Sequence, residues 1–297
     1  MIIPNNLKDG DSIGLISISR SISPNELSAS QILLKSWGLK VVLAKNIFKK
    51  HNQFSGTDIE RSKAFQELID SDLIKAIFFV RGGYGAVRVI DKIDFTNLLK
   101  QPKWLIGYSD ITVIHSHIHS LGLSSLHASM PINFPNNTKG ALYSIHNCLF
   151  KSESKIQYIT SKQQAISPIK SEIVGGNLSI IYSLLGSFSD IQTDNKILFL
   201  EDLDEYLYHI DRMVIALKRN GKLQNLKALI IGSMINMHDN KVPFGLTAKE
   251  IILEHTKDSN YPVIFDFPAG HIDDNNSIIL GKESILKIDN NSVTLLQ

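Results

Sequence analysis

The sequence predicts an α/β protein whose first half is built on a doubly wound parallel sheet and whose second half adds further strands. Between Ser12 and about His127, short β-rich runs alternate with polar, helix-length segments, as successive βαβ units require. Two of the runs, Ala76–Val80 and Trp104–Gly107, are apolar almost throughout, as expected of strands covered on both faces. With 297 residues, 43% of them hydrophobic and 20% charged, the chain is long enough for two cores.

Ser12–Ile18 reads as the first strand. Pro24–Trp37 reads as a helix entered through Ser23, with proline at its first position, and Gly38 separates it from a strand at Leu39–Leu43. Thr57, followed three residues later by Glu60, signals a capping box, and Ile59, Phe65, Leu68 and Ile69 give the helix an apolar face to about Asp70. The two apolar runs then stop abruptly, one at Arg81-Gly82-Gly83-Tyr84-Gly85 and the other at Tyr108-Ser109-Asp110. From about Lys139 to Ile173 the rhythm is lost, with polar stretches at Lys151–Lys155 and Ser161–Gln164. The expected organisation is therefore an N-terminal domain over 1–150, a linker over 151–170 and a C-terminal domain over 171–297. The last opens with Gly175-Gly176-Asn177 and an apolar helix through Leu185, then a strand at Lys196–Leu200 and a helix near Tyr208–Lys218. Strands follow at Ala228–Ile231, Val263–Phe265, Ser277–Leu280 and Ser284–Ile288, and their close spacing towards the end predicts antiparallel pairing.

Lys and Arg number 31 against 29 Asp and Glu, so a net charge of +2 offers no field to draw the chain onto nucleic acid or an anionic membrane. A small-molecule partner is expected instead. Cys148, the only cysteine, allows neither an intramolecular disulfide nor a multi-cysteine metal site. The first residues lack a basic segment ahead of a long apolar one, and no apolar stretch approaches the roughly 20 residues of a membrane-spanning helix. A cytoplasmic protein with no membrane insertion is the expectation.

Ligands of open α/β sheets bind beyond the carboxyl ends of strands, which directs attention to the segments after the two apolar runs. In Arg81–Gly85 a cation stands beside three glycines, whose N–H groups can converge on an oxyanion or carboxylate. The same residues also suit a tight turn with a solvated arginine. Ser109, at a strand-to-helix turn, is placed like an elbow nucleophile, although Ile111 stands where G-x-S-x-G has its second glycine. Read from its position alone it is better suited to cap the helix, a role that stabilises by about 1 kcal/mol. His115, His117 and His119 alternate within a helix-length segment and read as a solvated helix rather than a metal site; no H-E-x-x-H or paired C-x-x-C occurs. His271 follows Pro268-Ala269-Gly270, a loop able to hold an imidazole rigidly, and Glu201 ends an apolar strand, where a carboxylate could orient it. Each also reads as an ordinary surface residue.

Taken together, Gly10-Asp11-x-Ile13-Gly14, Arg81–Gly85, Gly107–Asp110, Gly175–Leu178 with Leu198–Asp202 and Ile210–Met213, and Pro268–His271 resemble the LD-carboxypeptidase family of serine peptidases, in order and over nearly the whole chain. The resemblance implies a flavodoxin-like N-terminal half, a smaller β-rich C-terminal half and an active site between them. It implies Ser109 as nucleophile, His271 as general base and Glu201 as its orienting acid, with an oxyanion hole from Gly82, Gly83 and Asp110. Arg81 is then expected to bind the substrate's terminal carboxylate, with Tyr84, Ser129 and Asn177 lining the pocket. His127-Ala128-Ser129-Met130 departs from the His-Gly-Pro-Met usual in such sequences and leaves the pocket floor open. The implied activity is release of terminal D-alanine from muramoyl tetrapeptides in peptidoglycan recycling, without metal or cofactor, by an enzyme that is commonly a homodimer. Hydrolysis of a microcin-type peptide-nucleotide is the alternative substrate, and peptide binding without cleavage a more distant one.

Overall fold

The computed structural model describes residues 1–160 and 165–297. In chain order the elements are β1 (Ser12–Ile16), α1 (Pro24–Ser36), β2 (Lys40–Leu43), α2 (Asp58–Asp70), β3 (Ile74–Phe79), α3 (Thr96–Lys100), β4 (Trp104–Gly107), α4 (Thr112–Ser120), β5 (Ser125–His127) and α5 (Lys139–Lys151). They continue with β6 (Lys155–Ile159), β7 (Ile166–Asn177), α6 (Leu178–Leu184), β8 (Ile197–Leu203), α7 (Leu207–Arg219), β9 (Ala228–Ile235), α8 (Ala248–Thr256), β10 (Val263–Ile264), β11 (Ile278–Leu280), β12 (Glu283–Asp289) and β13 (Ser292–Leu296).

Local chemistry accounts for the helix starts. Ser23 accepts from the Glu26 N–H while Glu26 accepts from the Ser23 N–H, and Thr57 and Glu60 repeat this reciprocal cap on α2. In β3, Ala76 and Phe78 face one layer and Ile77 and Phe79 the other, so the sheet is covered on both sides. Leu27 and Leu34 of α1 with Ile145 and Leu149 of α5 cover one face; Phe65 of α2, Leu98 of α3 and Ile114 of α4 cover the opposite one. Each fully buried leucine or isoleucine contributes roughly 1.5–3 kcal/mol relative to exposure.

The first sheet has the order β11-β5-β4-β3-β1-β2, with β1 to β5 parallel, which is the doubly wound arrangement expected. Its outermost strand, β11, comes from the far end of the chain and runs antiparallel to β5. The second sheet has the order β10-β9-β8-β7-β12-β13-β6. Here β7 to β10 are parallel, under α6, α7 and α8, while β12, β13 and β6 continue the sheet antiparallel. The expectation of antiparallel pairing therefore holds for β11 and β12 but not for β10, which α8 separates from β9 and returns parallel to it.

The stretch 151–170, expected to link two domains, carries β6 and the beginning of β7; its residues 161–164 lie outside the described residues. Ile156 of β6 is buried in the core beneath the second sheet, with Tyr158 packed against it, an alternation hidden by the polar residues between them. The segment 112–120 corrects the expectation of a solvated histidine helix. α4 packs against both β5 and β7, so His115 and His117 are buried, and the His115 imidazole reaches Ser125 Oγ at 2.8 Å and the Gly107 carbonyl at 2.9 Å. Among the described residues no helix is long and apolar enough to cross a membrane, and no three potential metal ligands cluster.

Candidate active site

Strand β4 ends at Gly107, where a Cβ would come within 2.9 Å of the Ile111 side chain, so the chain can turn sharply towards α4. Ser109 sits at that turn with φ of 61°, a left-handed conformation that is strained for a residue with a Cβ. The turn has no side-chain cap, and the Ile111 N–H bonds instead to the Tyr108 carbonyl. The capping role open to Ser109 from its sequence position is thus not the one it takes.

Three hydrogen bonds and one close packing contact hold the elbow. The buried Asp110 carboxylate accepts from Ser19 Oγ and, at 2.9 Å, from the Ala86 N–H, tying the turn to the ends of β1 and β3. Burial pushes its pKa up, against the effect of these donors. Thr112 Oγ1 accepts from the Asn177 N–H at 3.0 Å, joining the elbow to β7 across the two sheets. Gly82 lies directly against Ser109, where a Cβ would stand 3.2 Å from the serine Cβ. Among the described residues no acceptor takes the N–H of Gly82, Gly83 or Asp110.

Glu201 enters from β8 and His271 from the loop after β10. The carboxylate is fully buried, the imidazole nearly so, and His271 Nδ1 lies 2.7 Å from Glu201 Oε2. Burial acts to lower the imidazole pKa, but the charge and hydrogen bond of Glu201, reinforced by Asp202, prevail and hold it above the ordinary histidine value. The loop is pinned from several sides: the His271 N–H donates to Ser233 Oγ at 2.8 Å, Gly270 N–H to Asn275 Oδ1 at 2.8 Å, and Ser233 N–H to the Ala269 carbonyl at 3.0 Å. The Tyr108 ring packs on the imidazole with centroids 4.7 Å apart.

Ser109, His271, Gly82, Gly83, Asp110, Arg81 and Asn177 all line one cleft of about 470 Å³. Glu201 stands behind His271 rather than in the lining. Asn177 lines the cleft but its side chain is occupied: Nδ2 donates to Asp202 at 2.9 Å and Oδ1 caps α6. Asp202 also accepts from the Ser179 and Leu203 N–H groups, yet burial, with the Glu201 charge beside it, lifts its pKa to about 7. Arg81 donates to the Ser21 carbonyl at 3.0 Å and faces Glu26 at 3.5 Å. Two expected lining residues lie elsewhere. Ser129 is buried and accepts from Asn275, and Tyr84 is exposed against Phe54, because the chain turns after Gly83 and carries its ring away. Met130, next to Ser129, lines the cleft in its place, and so do Arg20, Asp204 and Glu205. Sequence reading missed Ser19, Arg20, Thr112 and Ser233, each a single polar residue outside any motif.

A hydroxyl on a strained turn, an imidazole backed by a buried carboxylate, and unpaired N–H groups at one cleft are the apparatus of a hydrolase acting on acyl bonds. The comparisons narrow the class. Residues 13–128 match the LD-carboxypeptidase N-terminal domain and residues 170–286 the LD-carboxypeptidase C-terminal domain. A probable murein peptide carboxypeptidase of Bacillus subtilis is 31% identical over 294 residues, covering 95% of this chain and 91% of that protein. The microcin C7 self-immunity protein of Escherichia coli is 24% identical over 334 residues, covering 97% of this chain and 94% of that one. The crystal structure of a muramoyltetrapeptide carboxypeptidase from Oxalobacter formigenes shares the fold, with a TM-score of 0.88 and 24% identity over 96% of this chain and 98% of that chain. The protein belongs to the LD-carboxypeptidase family, a family of peptidases.

Proposed function

We propose that the protein is a serine carboxypeptidase that releases the terminal D-alanine from muramoyl tetrapeptides, acting in the cytoplasm, where cell-wall peptides are recycled, and as a homodimer. Ser109 Oγ attacks the scissile carbonyl while His271 Nε2 accepts its proton. The 2.7 Å contact between Nδ1 and Glu201 favours the tautomer with the single N–H proton on Nδ1, which leaves Nε2 free as the base, and the carboxylate stabilises the imidazolium that forms. The tetrahedral oxyanion is met by N–H groups of the Gly82-Gly83 turn and of Asp110. The imidazolium then returns its proton to the departing amine of D-alanine, and water, activated by the same imidazole, hydrolyses the acyl-enzyme.

The observation that supports this reading most is the buried Glu201–His271 pair opening onto the cleft that Ser109 lines from a positive-φ turn. Mass spectrometry of a muramoyl tetrapeptide incubated with the protein, and in parallel with Ser109→Ala, both with a chelator present, tests it. Loss of one alanine with the wild type alone is expected. An untouched tetrapeptide, together with cleavage of a microcin-type peptide-nucleotide, would transfer the activity to the second substrate class. Equal loss with Ser109→Ala would sink the nucleophile assignment.

A further inference from the structure

An enzyme that removes one residue from a chain end must recognise the free carboxylate there, and the cleft offers two arginines for it, Arg20 and Arg81. Their surroundings differ. Arg81 is already engaged, donating to the Ser21 carbonyl at 3.0 Å and facing the Glu26 carboxylate at 3.5 Å. Glu26 is itself held in place by the Ser23 cap of α1, so its negative charge stays beside Arg81 and would repel an incoming carboxylate. Arg20 is exposed, and among the described residues no ion pair or side-chain hydrogen bond engages its guanidinium.

Its stem is fixed nonetheless. The Arg20 N–H donates to the Gly82 carbonyl at 3.4 Å, and the Arg20 Cδ and Nε lie over Gly83, where a Cβ would stand only 2.6 and 2.8 Å from them. Gly83 has φ of 110°, so glycine answers both needs at that position, the backbone conformation and the room for the arginine stem. The guanidinium is thereby carried on the glycine turn that borders Ser109. Asp202, Asp204 and Glu205 also line the cleft, but Asp202 is bonded to Asn177 and to the Ser179 and Leu203 N–H groups, while Asp204 and Glu205 pair with His238 and His209, so Arg20 is the arginine of the cleft left without a side-chain partner among the described residues. Asp110, the carboxylate near enough to act on Arg20 through its charge, is buried and already bonded to Ser19 and Ala86.

We infer that Arg20 receives the free C-terminal carboxylate of the substrate and that Arg81 braces the loop carrying it, through Ser21. The inference rests on the carboxypeptidase reading above for the reaction, and assigns within it the residue that makes the enzyme an exopeptidase.

The test compares a muramoyl tetrapeptide bearing a free terminal carboxylate with its C-terminal amide, using the wild type, Arg20→Gln, Arg20→Lys and Arg81→Gln. The wild type should prefer the free acid. Arg20→Gln should raise KM for the free acid roughly 10- to 100-fold, the scale of one lost charge-assisted hydrogen bond, with kcat much less affected and KM for the amide unchanged. Arg20→Lys should restore part of the preference. Arg81→Gln should weaken both substrates by the same factor and keep the preference. Equal KM for acid and amide in the wild type, or a preference that disappears with Arg81 and survives without Arg20, would overturn the assignment. A wild type that spares the tetrapeptide but trims another peptide acid in an Arg20-dependent way would overturn the muropeptide reading and uphold Arg20. One that trims no peptide acid would overturn both.

Discussion

His271 and Glu201 are 70 residues apart in sequence and 2.7 Å apart in space, with the carboxylate fully enclosed and the imidazole facing the cleft. A buried carboxylate of this kind is tolerable because its charge is met by a hydrogen bond to a group that can itself become positive. Replacing it by the isosteric amide keeps the shape and removes the charge. Glu201→Gln should lower kcat by about 10⁴ while leaving the far-UV circular dichroism unchanged. Near-normal turnover by this variant would remove Glu201 from the mechanism.

The same pair fixes the direction of the pH response. In the proposed mechanism His271 must be neutral to act, and its pKa is held above the ordinary histidine value near 6.5, so kcat/KM should fall on acidification with a midpoint above that value. Glu201→Gln removes the largest influence opposing desolvation, and the midpoint of its residual activity should move down. For stability the sign is set by protonation of the folded state. With the folded pKa raised, the pair stabilises the fold fully below the unfolded histidine pKa and loses that contribution as pH rises through the folded value. Urea midpoints for wild type and Glu201→Gln should therefore converge with rising pH; a gap that widens would contradict the shift.

Ser233 holds the His271 N–H at 2.8 Å without touching the imidazole. Its loss in Ser233→Ala should cost about 1 kcal/mol of stability and reduce kcat about tenfold with KM little changed, since the hydroxyl positions the loop and not the substrate. Steady-state kinetics beside urea melts check this, and a change confined to KM would contradict it.

Gly175 admits no side chain. At φ of 139°, a Cβ would lie 1.8 Å from the Phe199 carbonyl oxygen of the neighbouring strand β8. Gly175→Ala should destabilise by roughly 3 kcal/mol or more, because the clash is with backbone and can be relieved only by parting β7 from β8. Chemical denaturation gives the value, and a loss under 1 kcal/mol would show that the strands yield more easily than their packing implies.

Cys148 is fully buried in the core on the α1 and α5 side of the first sheet, and burial pushes its thiol up to about 12. Thiolate is the reactive form, so a chromophoric disulfide reagent should label the native protein only as fast as it opens, and stoichiometrically once urea is added. Immediate labelling without denaturant would show that α5 is not seated as described.

Elements with strong local signals were legible in the sequence: the Ser23-Pro24 entry to α1, the capping box of α2, the continuous apolar runs of β3 and β4, the Gly175-Gly176-Asn177 entry to α6. A third capping box, Thr247 with Glu250, marks α8 just as clearly and was open to the same reading. Other features were not local at all. The apolar face of β6 depends on its place beside β13, and the burial of His115 and His117 depends on α4 being sandwiched between β5 and β7. At the site, position at strand ends and turns made Ser109, Glu201 and His271 candidates, each with an ordinary structural role as the better reading, and it was the resemblance to the family that tied the three together. Arg20, Thr112 and Ser233 could not, since each acts through a partner from another element and has no distinctive neighbours in sequence.

Strand β11 completes the edge of the first sheet from a point more than 150 residues beyond β5. During synthesis, β1 to β5 emerge long before the segment that closes them, so the β5 edge stays open until residues 278–280 have been made. Long-range pairing of this kind slows folding and leaves a strand edge available to other chains in the interval. A nascent chain halted before Ile278 would have made Ser109, Glu201 and His271, yet would lack the strand that pairs with the β5 edge. Closure of that edge therefore waits on Ile278–Leu280 and not on the strands made beside it.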